Sequence, residues 1–293
     1  MQLLTTSEAA EYLRLKERKL YELVAENEIP CTKITGRWLF PKAELDHWLR
    51  SSVNRPGGLT RPEPMPIVGG SHDPLLEWAL RESRSGLATL SEGSEAGLER
   101  FIQGELIAAA IHLHALDDGI DANVEAMRTR TNLHDAVLVG FLRREQGLLV
   151  ANGNPLGIRS VKDLSGRGVR VATRPKGAGA QLLLIALAQQ AGVKLDQLSL
   201  VEPPCPTGND VAQAIRANRA DCGIAPRSVA NAAGLEFVPL LWERFDIAMG
   251  QHDYFRAPLQ AFIAFMRSPA LKARADELGG YDVSGAGQIR YAP

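Results

Sequence analysis

The sequence IVGGSHDPLLEWALRESR, at residues 67–84, decides the fold class. It begins with a short apolar run, continues through a polar loop at residues 71–74, and ends in an amphipathic stretch. This order is typical of a strand, a loop and the start of a helix. The same order recurs at residues 87–103 and 169–191. The repetition predicts βα units around a largely parallel sheet, and hence an α/β fold.

The loops after these strands are the first candidates for a binding site. Ser71, His72 and Asp73 lie side by side, but a catalytic triad needs side chains from separate segments. Capping of the following helix by Ser71 or Asp73 is the better interpretation, and it leaves backbone N–H groups available to an anion. We expect three helix N-termini to converge in this way.

The third loop reads RPKGAGA at residues 174–180. It lacks the Lys-Ser/Thr pair of a phosphate-binding P-loop. Its glycines instead permit close approach of the backbone to a ligand, although plain tight turns remain an alternative.

Residues 54–66, NRPGGLTRPEPMP, contain too many prolines and glycines for a helix or a central strand. They predict a linker between a domain at residues 1–53 and a larger one at residues 67–293.

Two short helices and a hairpin are predicted in the first domain. Thr5 and Glu8 form a capping-box pattern before the first helix, and a second helix follows from about residue 17 to 27. Residues 32–34 and 38–40 flank Gly36-Arg37 as a hairpin, and a third helix closes the domain. This order predicts a winged helix-turn-helix.

The charge of this domain is balanced, with eight Lys or Arg and eight Asp or Glu in residues 1–53. Six of these basic residues cluster, however, and predict a one-sided DNA-binding surface; they are Arg14, Lys16, Arg18, Lys19, Lys33 and Arg37. Ordinary solvated charges are the alternative. A neutral module neutralises few phosphates, so we expect a homodimer or homotetramer on double-stranded DNA.

Residues 3–49 resemble the excisionase-type, MerR-related DNA-binding domain. The resemblance rests on T-x-x-E-A-A-x-x-L, Tyr21, Ile29-Pro30, Gly36-Arg37-Trp38 and L-x-x-W-L. It adds Tyr21 to the candidate DNA-binding residues.

Residues 67–288 resemble the type 2 periplasmic-binding-protein superfamily, in its cytoplasmic branch related to molybdate and tungstate binders. The matching stretches include Gly93-Ser94, Gly104-Glu105, Ile111-His112-Leu113, Arg144-Glu145-Gln146-Gly147-Leu148, Gly153-Asn154-Pro155, Glu243-Arg244-Phe245-Asp246 and Gly280-Tyr281-Asp282. The resemblance implies two α/β lobes, the second inserted at about residues 152–238, with a small anionic ligand in the cleft between them.

The candidate ligand-binding residues come from these loops and from the matching histidine; they are Ser71, His72, Asp73, Gly93, Ser94, His112, Thr173, Arg174, Lys176, Gly177 and Ala178. The glycine loop departs from the family pattern, because side-chain donors for an oxyanion are reduced there. A carboxylate or larger organic ligand therefore competes with a tetrahedral oxyanion. Arg144-Glu145 and Glu243-Arg244 are either contacts between the lobes or solvated ion pairs.

No metal or cofactor is predicted. His112 and His114 lack further ligands at metal-binding spacing, and the three cysteines are scattered. The chain has 293 residues, of which 45% are hydrophobic, and this composition is typical of a globular protein. Its net charge of -1 does not indicate a class of binding partner. No secretory or membrane-spanning segment is found, which predicts a cytoplasmic protein without membrane association.

These features together predict a one-component transcription regulator controlled by a ligand. The alternative is a cytoplasmic ligand-binding protein that never binds DNA, or an enzyme of molybdenum-cofactor-related metabolism. An enzyme is disfavoured because no separated nucleophile, base and orienting group is found.

Overall fold

A computed structural model describes residues 2–51, 63–113, 121–130, 133, 135–166 and 168–293. The chain forms two compact units, Met1–Pro62 and Glu63–Pro293. Most of the predicted linker, up to residue 62, lies outside the described residues, as does His114.

The first unit is a winged helix-turn-helix. Its elements are β1 (Leu3–Thr5), α1 (Thr6–Leu13), α2 (Glu17–Ala25), β2 (Thr32–Ile34), β3 (Arg37–Pro41) and α3 (Lys42–Ser51). The predicted capping box is confirmed: Glu8 N donates to Thr5 Oγ1 and Thr5 N donates to Glu8 Oε2. Leu20, Phe40 and Leu45 are fully buried at the centre of its core.

The wing differs from the prediction in detail. Its tip is Thr35-Gly36, and Arg37 already belongs to β3, where it pairs with Ile34. Both tip residues have positive φ, 51° and 82°, as a two-residue hairpin turn requires. The strand β1, which the sequence did not predict, pairs with β3 and completes a three-stranded sheet.

The second unit is built on one ten-stranded sheet. Its strands are β4 (Met65–Gly70), β5 (Ala88–Ser91), β6 (Leu106–Ile111), β7 (Ala136–Val150), β8 (Arg170–Ala172), β9 (Ser199–Val201), β10 (Cys222–Pro226), β11 (Glu236–Gly250), β12 (Tyr281–Asp282) and β13 (Ile289–Tyr291). Its helices are α4 (Pro74–Glu82), α5 (Ser94–Ile102), α6 (Ala122–Thr129), α7 (Gly179–Gln190), α8 (Gly208–Arg216), α9 (Arg227–Ala233), α10 (Gln251–Tyr254), α11 (Ala257–Met266) and α12 (Pro269–Leu278).

Two lobes share this sheet. The strands β4, β5 and β6 are parallel in one lobe, and β8, β9 and β10 are parallel in the other. The 15-residue strands β7 and β11 pair antiparallel along their length and run through both lobes. The α/β class and the two-lobed architecture are therefore confirmed.

Two boundaries differ from the sequence prediction. The strand β4 begins at Met65, inside the predicted linker, because Met65 pairs with Leu106; Pro66 is accommodated at an irregularity in the register. The helix α7 begins at Gly179 rather than at residue 181, so the glycine loop is shorter than expected.

Candidate functional site

The carboxyl ends of the parallel strands face a cleft between the two lobes. Ser71 follows β4, His112 follows β6 and Arg174 follows β8, and all three side chains line the cleft. Open α/β sheets bind ligands at this end of their strands. The space in the cleft that protein atoms do not fill is about 440 Å³, part of it open to solvent.

Helix N-termini surround the cleft. Gly93 and Ala178 are the N-cap residues of α5 and α7, and both line it. Neither helix has a side-chain cap within the described residues, whereas α4 is capped by Asp73 and α8 by Thr207. The first N–H groups of α5 and α7 are thus the donors that an anion can use, and the helix dipoles favour negative charge there.

Arg144 lies at the base of the cleft. This residue of β7 is 1% exposed and lines the cavity. Its guanidinium donates to Glu243 Oε1 at 2.5 Å, to Asp73 Oδ2 at 2.8 Å and to the His72 carbonyl at 3.2 Å. The negative charges of Glu243 and Asp73 keep the pKa of Arg144 above its ordinary value despite burial. Arg144 is therefore a fixed cation.

Tyr281 and Ser228 extend this network. Tyr281 Oη donates to Asp73 Oδ2 at 3.1 Å, and Ser228 Oγ lies 2.7 Å from Tyr281 Oη. A carboxylate can only accept hydrogen bonds, so the Tyr281 hydroxyl donates to Asp73. The Ser228 hydroxyl in turn donates to Tyr281 Oη. Burial and the charge of Asp73 raise the pKa of Tyr281 well above its ordinary value, so the phenol stays protonated.

His112 contacts both Arg144 and the other lobe. Arg144 Nη2 lies 3.2 Å from His112 Nδ1, and a guanidinium only donates, so Nδ1 accepts. A Cβ placed on Gly179 would lie 2.0 Å from His112 Nε2 and 2.6 Å from the His112 carbonyl oxygen. Glycine is thus required at position 179 for the lobes to meet as they do.

A second contact across the cleft joins Gly93 and Ala178. A Cβ on Gly93 would lie 3.4 Å from Ala178 Cα, and Gly93 has φ of +95°, which favours glycine. The N-termini of α5 and α7 therefore meet almost backbone to backbone. The cleft is closed in this structure.

Arg174 supplies a second positive charge. Its Nε and Nη2 donate to the carbonyls of Cys205 and Pro206 at 2.8 and 2.7 Å. No Asp or Glu oxygen of the described residues lies within ion-pair distance of it. Burial, together with repulsion from Arg144, lowers the pKa of Arg174 to about 10. Because no carboxylate of the described residues pairs with it, the Arg174 charge is available to a bound anion.

Gln146 contributes a buried hydrogen-bond acceptor to the lining of the cleft. It is 1% exposed, and its Nε2 donates to Glu243 Oε1 at 2.7 Å. Its Oε1 is buried without a hydrogen-bond partner among the described residues.

The candidate DNA-binding residues all lie exposed on the first unit. Four cluster at the start of α2: Arg14 follows α1 in a left-handed conformation, Lys16 is the N-cap residue of α2, and Arg18 and Lys19 each lie 3.3 Å from Glu22. Tyr21 is 49% exposed on the same helix. Lys33 lies over the Trp38 ring at 5.1 Å, and Arg37 begins β3.

Comparison with known proteins identifies both units. A family model described as the PBP superfamily domain matches residues 77–267, which is more than half of the chain. The chain belongs to the PBP superfamily. A second model, described as a helix-turn-helix domain, matches residues 3–52.

One curated protein is similar in sequence to this chain, and two solved structures are similar in fold at low identity. The uncharacterized protein YvgK of Bacillus subtilis (strain 168) is 26% identical over 303 residues, covering 97% of this chain and 96% of that protein. The regulatory domain of MetR, a LysR family regulator from N. meningitidis, has a TM-score of 0.51 at 12% identity, covering 74% of this chain and 96% of that one. A phosphate ABC transporter-type substrate-binding protein from Clostridium perfringens, with bound phosphate, also has a TM-score of 0.51 at 12% identity, over 72% and 97% of the two chains.

Six of the eleven candidate ligand-binding residues line the PBP cleft; they are Ser71, His72, Gly93, His112, Arg174 and Ala178. Two lie behind the lining: Asp73 caps α4 and holds Arg144, and Ser94 Oγ accepts from His112 N at 3.1 Å. Three are placed elsewhere. Thr173 Oγ1 donates to the Val201 carbonyl, Lys176 is exposed, and Gly177 is outside the lining.

Sequence reasoning missed Gln146 as a site residue and did not choose between two roles for Arg144 and Glu243. Both of these residues are buried in the network at the cleft, so they are not solvated ion pairs. A usable signal existed: Arg144 and Gln146 are two apart in the mostly apolar strand β7 and thus share one face. Buried polar side chains on one face of a strand require partners.

Within the described ranges, no group of three or more His, Cys, Asp or Glu residues is arranged to hold a metal ion. The helices that the structure describes are too short or too polar for any of them to cross a membrane.

Proposed function

We propose that this protein is a DNA-binding transcription regulator controlled by a small anion bound in the cleft of its PBP domain. The observation that carries the proposal is the cleft itself, where the uncapped N-termini of α5 and α7 meet Arg144 and Arg174, in a chain that begins with a helix-turn-helix. The fold likeness to the MetR regulatory domain supports it, since that domain serves a LysR family regulator.

The mechanism follows from linkage between the two sites. Ligand stabilises the closed cleft, and closure changes the geometry of a homodimer or homotetramer whose recognition helices contact two half-sites. A coupling of about 1 to 3 kcal/mol changes DNA affinity about 5- to 150-fold. A cytoplasmic location is part of the proposal, because the helix-turn-helix domain has to reach DNA.

On DNA, Lys16, Arg18 and Lys19 face the major groove. Lys33 and Arg37 reach phosphates or the minor groove. This arrangement accords with their exposure on α2 and on the wing.

The DNA-binding part of the proposal is tested with double-stranded fragments that the full chain selects from a randomised pool. The double variant Arg18→Glu, Lys19→Glu is expected to lose retention of these fragments and to keep its response to ligand. The variant Lys162→Glu, Arg216→Glu changes net charge equally at two exposed residues of the PBP domain and is the matched control. Equal DNA retention by wild type and the first variant would refute the proposal.

The ligand-binding part of the proposal is tested by thermal unfolding of the full chain in the presence of molybdate, tungstate, sulfate, phosphate and small organic acids. The resemblance to molybdate and tungstate binders brings the first two into the panel, and the altered glycine loop brings in the organic acids. A true ligand at 100 times its Kd adds about 2.7 kcal/mol to the free energy of unfolding. If no member of the panel shifts the transition, the anion-binding part of the proposal fails.

A further inference from the structure

The orientation of the Gln146 amide is fixed by Glu243. Glu243 Oε1 accepts from Gln146 Nε2 at 2.7 Å and from Arg144 Nε at 2.5 Å. A carboxylate has no proton to donate, so the nitrogen of the amide must face it. The amide oxygen consequently points away from Glu243.

That oxygen is a buried acceptor in the wall of the cleft. Gln146 is 1% exposed and lines the cavity, and its Oε1 has no hydrogen-bond partner among the residues that the structure describes. An unsatisfied buried acceptor costs free energy unless a partner is supplied. Since Gln146 lines the cleft, a group bound there is in a position to supply this partner.

The rest of the lining favours negative charge. Arg174 presents a guanidinium group with no carboxylate partner among the described residues, and the uncapped N-termini of α5 and α7 present backbone N–H groups; the Arg144 guanidinium also lines the cleft but is paired with Asp73 and Glu243. The cleft therefore combines several donors with one buried acceptor that is otherwise unpaired.

We propose that the cleft selects small anions that carry a hydrogen-bond donor of their own, and that Gln146 Oε1 accepts from this donor. The inference rests on the proposed function, since it concerns the ligand of the same cleft. Hydrogen phosphate and 2-hydroxy carboxylates share the required chemistry, a negative oxygen group beside an O–H. Sulfate, molybdate and tungstate carry no proton at neutral pH and leave the glutamine oxygen unpaired.

The discrimination is large enough to measure. Leaving one buried acceptor unpaired costs an amount that corresponds to roughly a 5- to 150-fold loss of affinity. Hydrogen phosphate and sulfate are both dianionic tetrahedra, and glycolate and propionate are monocarboxylates of nearly equal size that differ in an O–H against a methyl group. The ratio of Kd values within a pair therefore measures how much the ligand's hydrogen-bond donor contributes to affinity.

The experiment is calorimetric titration of the full chain at pH 7 with these four anions. Wild type is expected to bind the donor-bearing member at least about fivefold more tightly in one pair, and the pair that shows it separates the inorganic from the organic ligand class. In Gln146→Met, which keeps the length of the side chain and removes the acceptor, the ratio is expected to fall towards one. Gln213→Met, at an exposed glutamine of α8, should keep the wild-type ratio.

The outcomes separate the inference from the proposed function. Equal binding of both members of each pair by wild type overturns the inference alone, as does a ratio unchanged in Gln146→Met. If wild type binds none of the four anions, the inference falls together with the anion-binding part of the proposed function. Since the wild-type ratio is decisive by itself, a variant that fails to fold does not leave the inference untested.

Discussion

Arg144 Nη1 donates a 2.8 Å hydrogen bond to Asp73 Oδ2 at a point where the two side chains are only 2% and 0% exposed. Asp73 also caps α4, because its Oδ1 accepts from Leu75 N and Leu76 N. One carboxylate thus joins the start of a helix in one lobe to the strand β7, which runs through both lobes. The cation that faces the cleft is held in place by this residue.

Substitution of Asp73 separates its two roles. Asp73→Ser keeps a capping hydroxyl and removes the charge, and we expect the free energy of unfolding to fall by about 3 to 5 kcal/mol, since a buried arginine loses a counter-ion. Asp73→Ala also removes the cap and should lose about 1 kcal/mol more. Denaturant unfolding of both variants measures these losses. A serine variant as stable as wild type would show that the ion pair contributes nothing.

Gly179→Ala tests the closure of the cleft. The added Cβ would meet the ring and the carbonyl of His112 at 2.0 to 2.6 Å, so the lobes must separate or His112 must move. We expect at least about a tenfold loss of anion affinity, with phosphate as the probe, because a ligand that needs the closed cleft then also pays for the displacement. The variant Gly285→Ala is the control, since a Cβ there meets nothing within 4 Å. Equal phosphate affinity in both variants would contradict the proposed contact.

How far the sequence predicts this site depends on where each residue lies. Loop residues such as Ser71, Gly93 and Ala178 follow from the pattern of strand, loop and helix, because parallel strands bring their carboxyl ends to one edge. Arg144, Gln146 and Glu243 lie within long strands, and the spacing of Arg144 and Gln146 indicates only that they need buried partners, not that they line a cleft. Their role depends on the pairing of β7 with β11, a contact about a hundred residues apart in sequence.

Three of the candidate loop residues lie outside the lining of the cleft. Lys176 and Gly177 belong to the glycine loop, but within that loop the cleft is lined by Arg174, by Ala178 and by the first residues of α7. Thr173, the residue after β8, donates its hydroxyl to the carbonyl of Val201 at the end of β9. A loop motif predicts which segment approaches a ligand, whereas the side chains that reach it depend on the exact start of the helix.

Arg174→Met is expected to affect ligand binding and stability in opposite ways. The lowered pKa of Arg174, about 10, means that burial opposes its charge in the folded protein. The methionine variant should therefore keep or raise the free energy of unfolding without ligand, within about 1 kcal/mol after the lost hydrogen bonds to two carbonyls are counted. Phosphate affinity should fall about 10- to 150-fold, as expected for a lost charged donor. Parallel unfolding and titration measurements check both effects, and unchanged phosphate affinity would remove Arg174 from the site.

Asp246 makes the free energy of unfolding depend on pH, and its contribution to stability decreases as the pH rises. It is 1% exposed, and it faces Arg290 of β13, Asn123 of α6, Asp121 before that helix and Arg244 of its own strand. Burial raises the pKa of this carboxyl to about 6, and the favourable contacts with Arg290 and Asn123 offset only part of that. A raised pKa stabilises the fold when the group is protonated, so the contribution is complete below the unfolded value of about 4.

The contribution of Asp246 is lost as pH rises through about 6, with an upper size of about 3 kcal/mol for a shift of roughly two units. In Asp246→Asn the side chain cannot titrate, so the free energy of unfolding should fall less between pH 4 and pH 7 than in wild type. Asp282→Asn is the contrasting control: backbone and side-chain hydrogen bonds from Ser284 lower the pKa of Asp282, so its contribution is present at neutral pH and lost on acidification. Urea unfolding at several pH values gives both slopes. If Asp246→Asn follows the wild-type curve, Asp246 is not the group that titrates near pH 6.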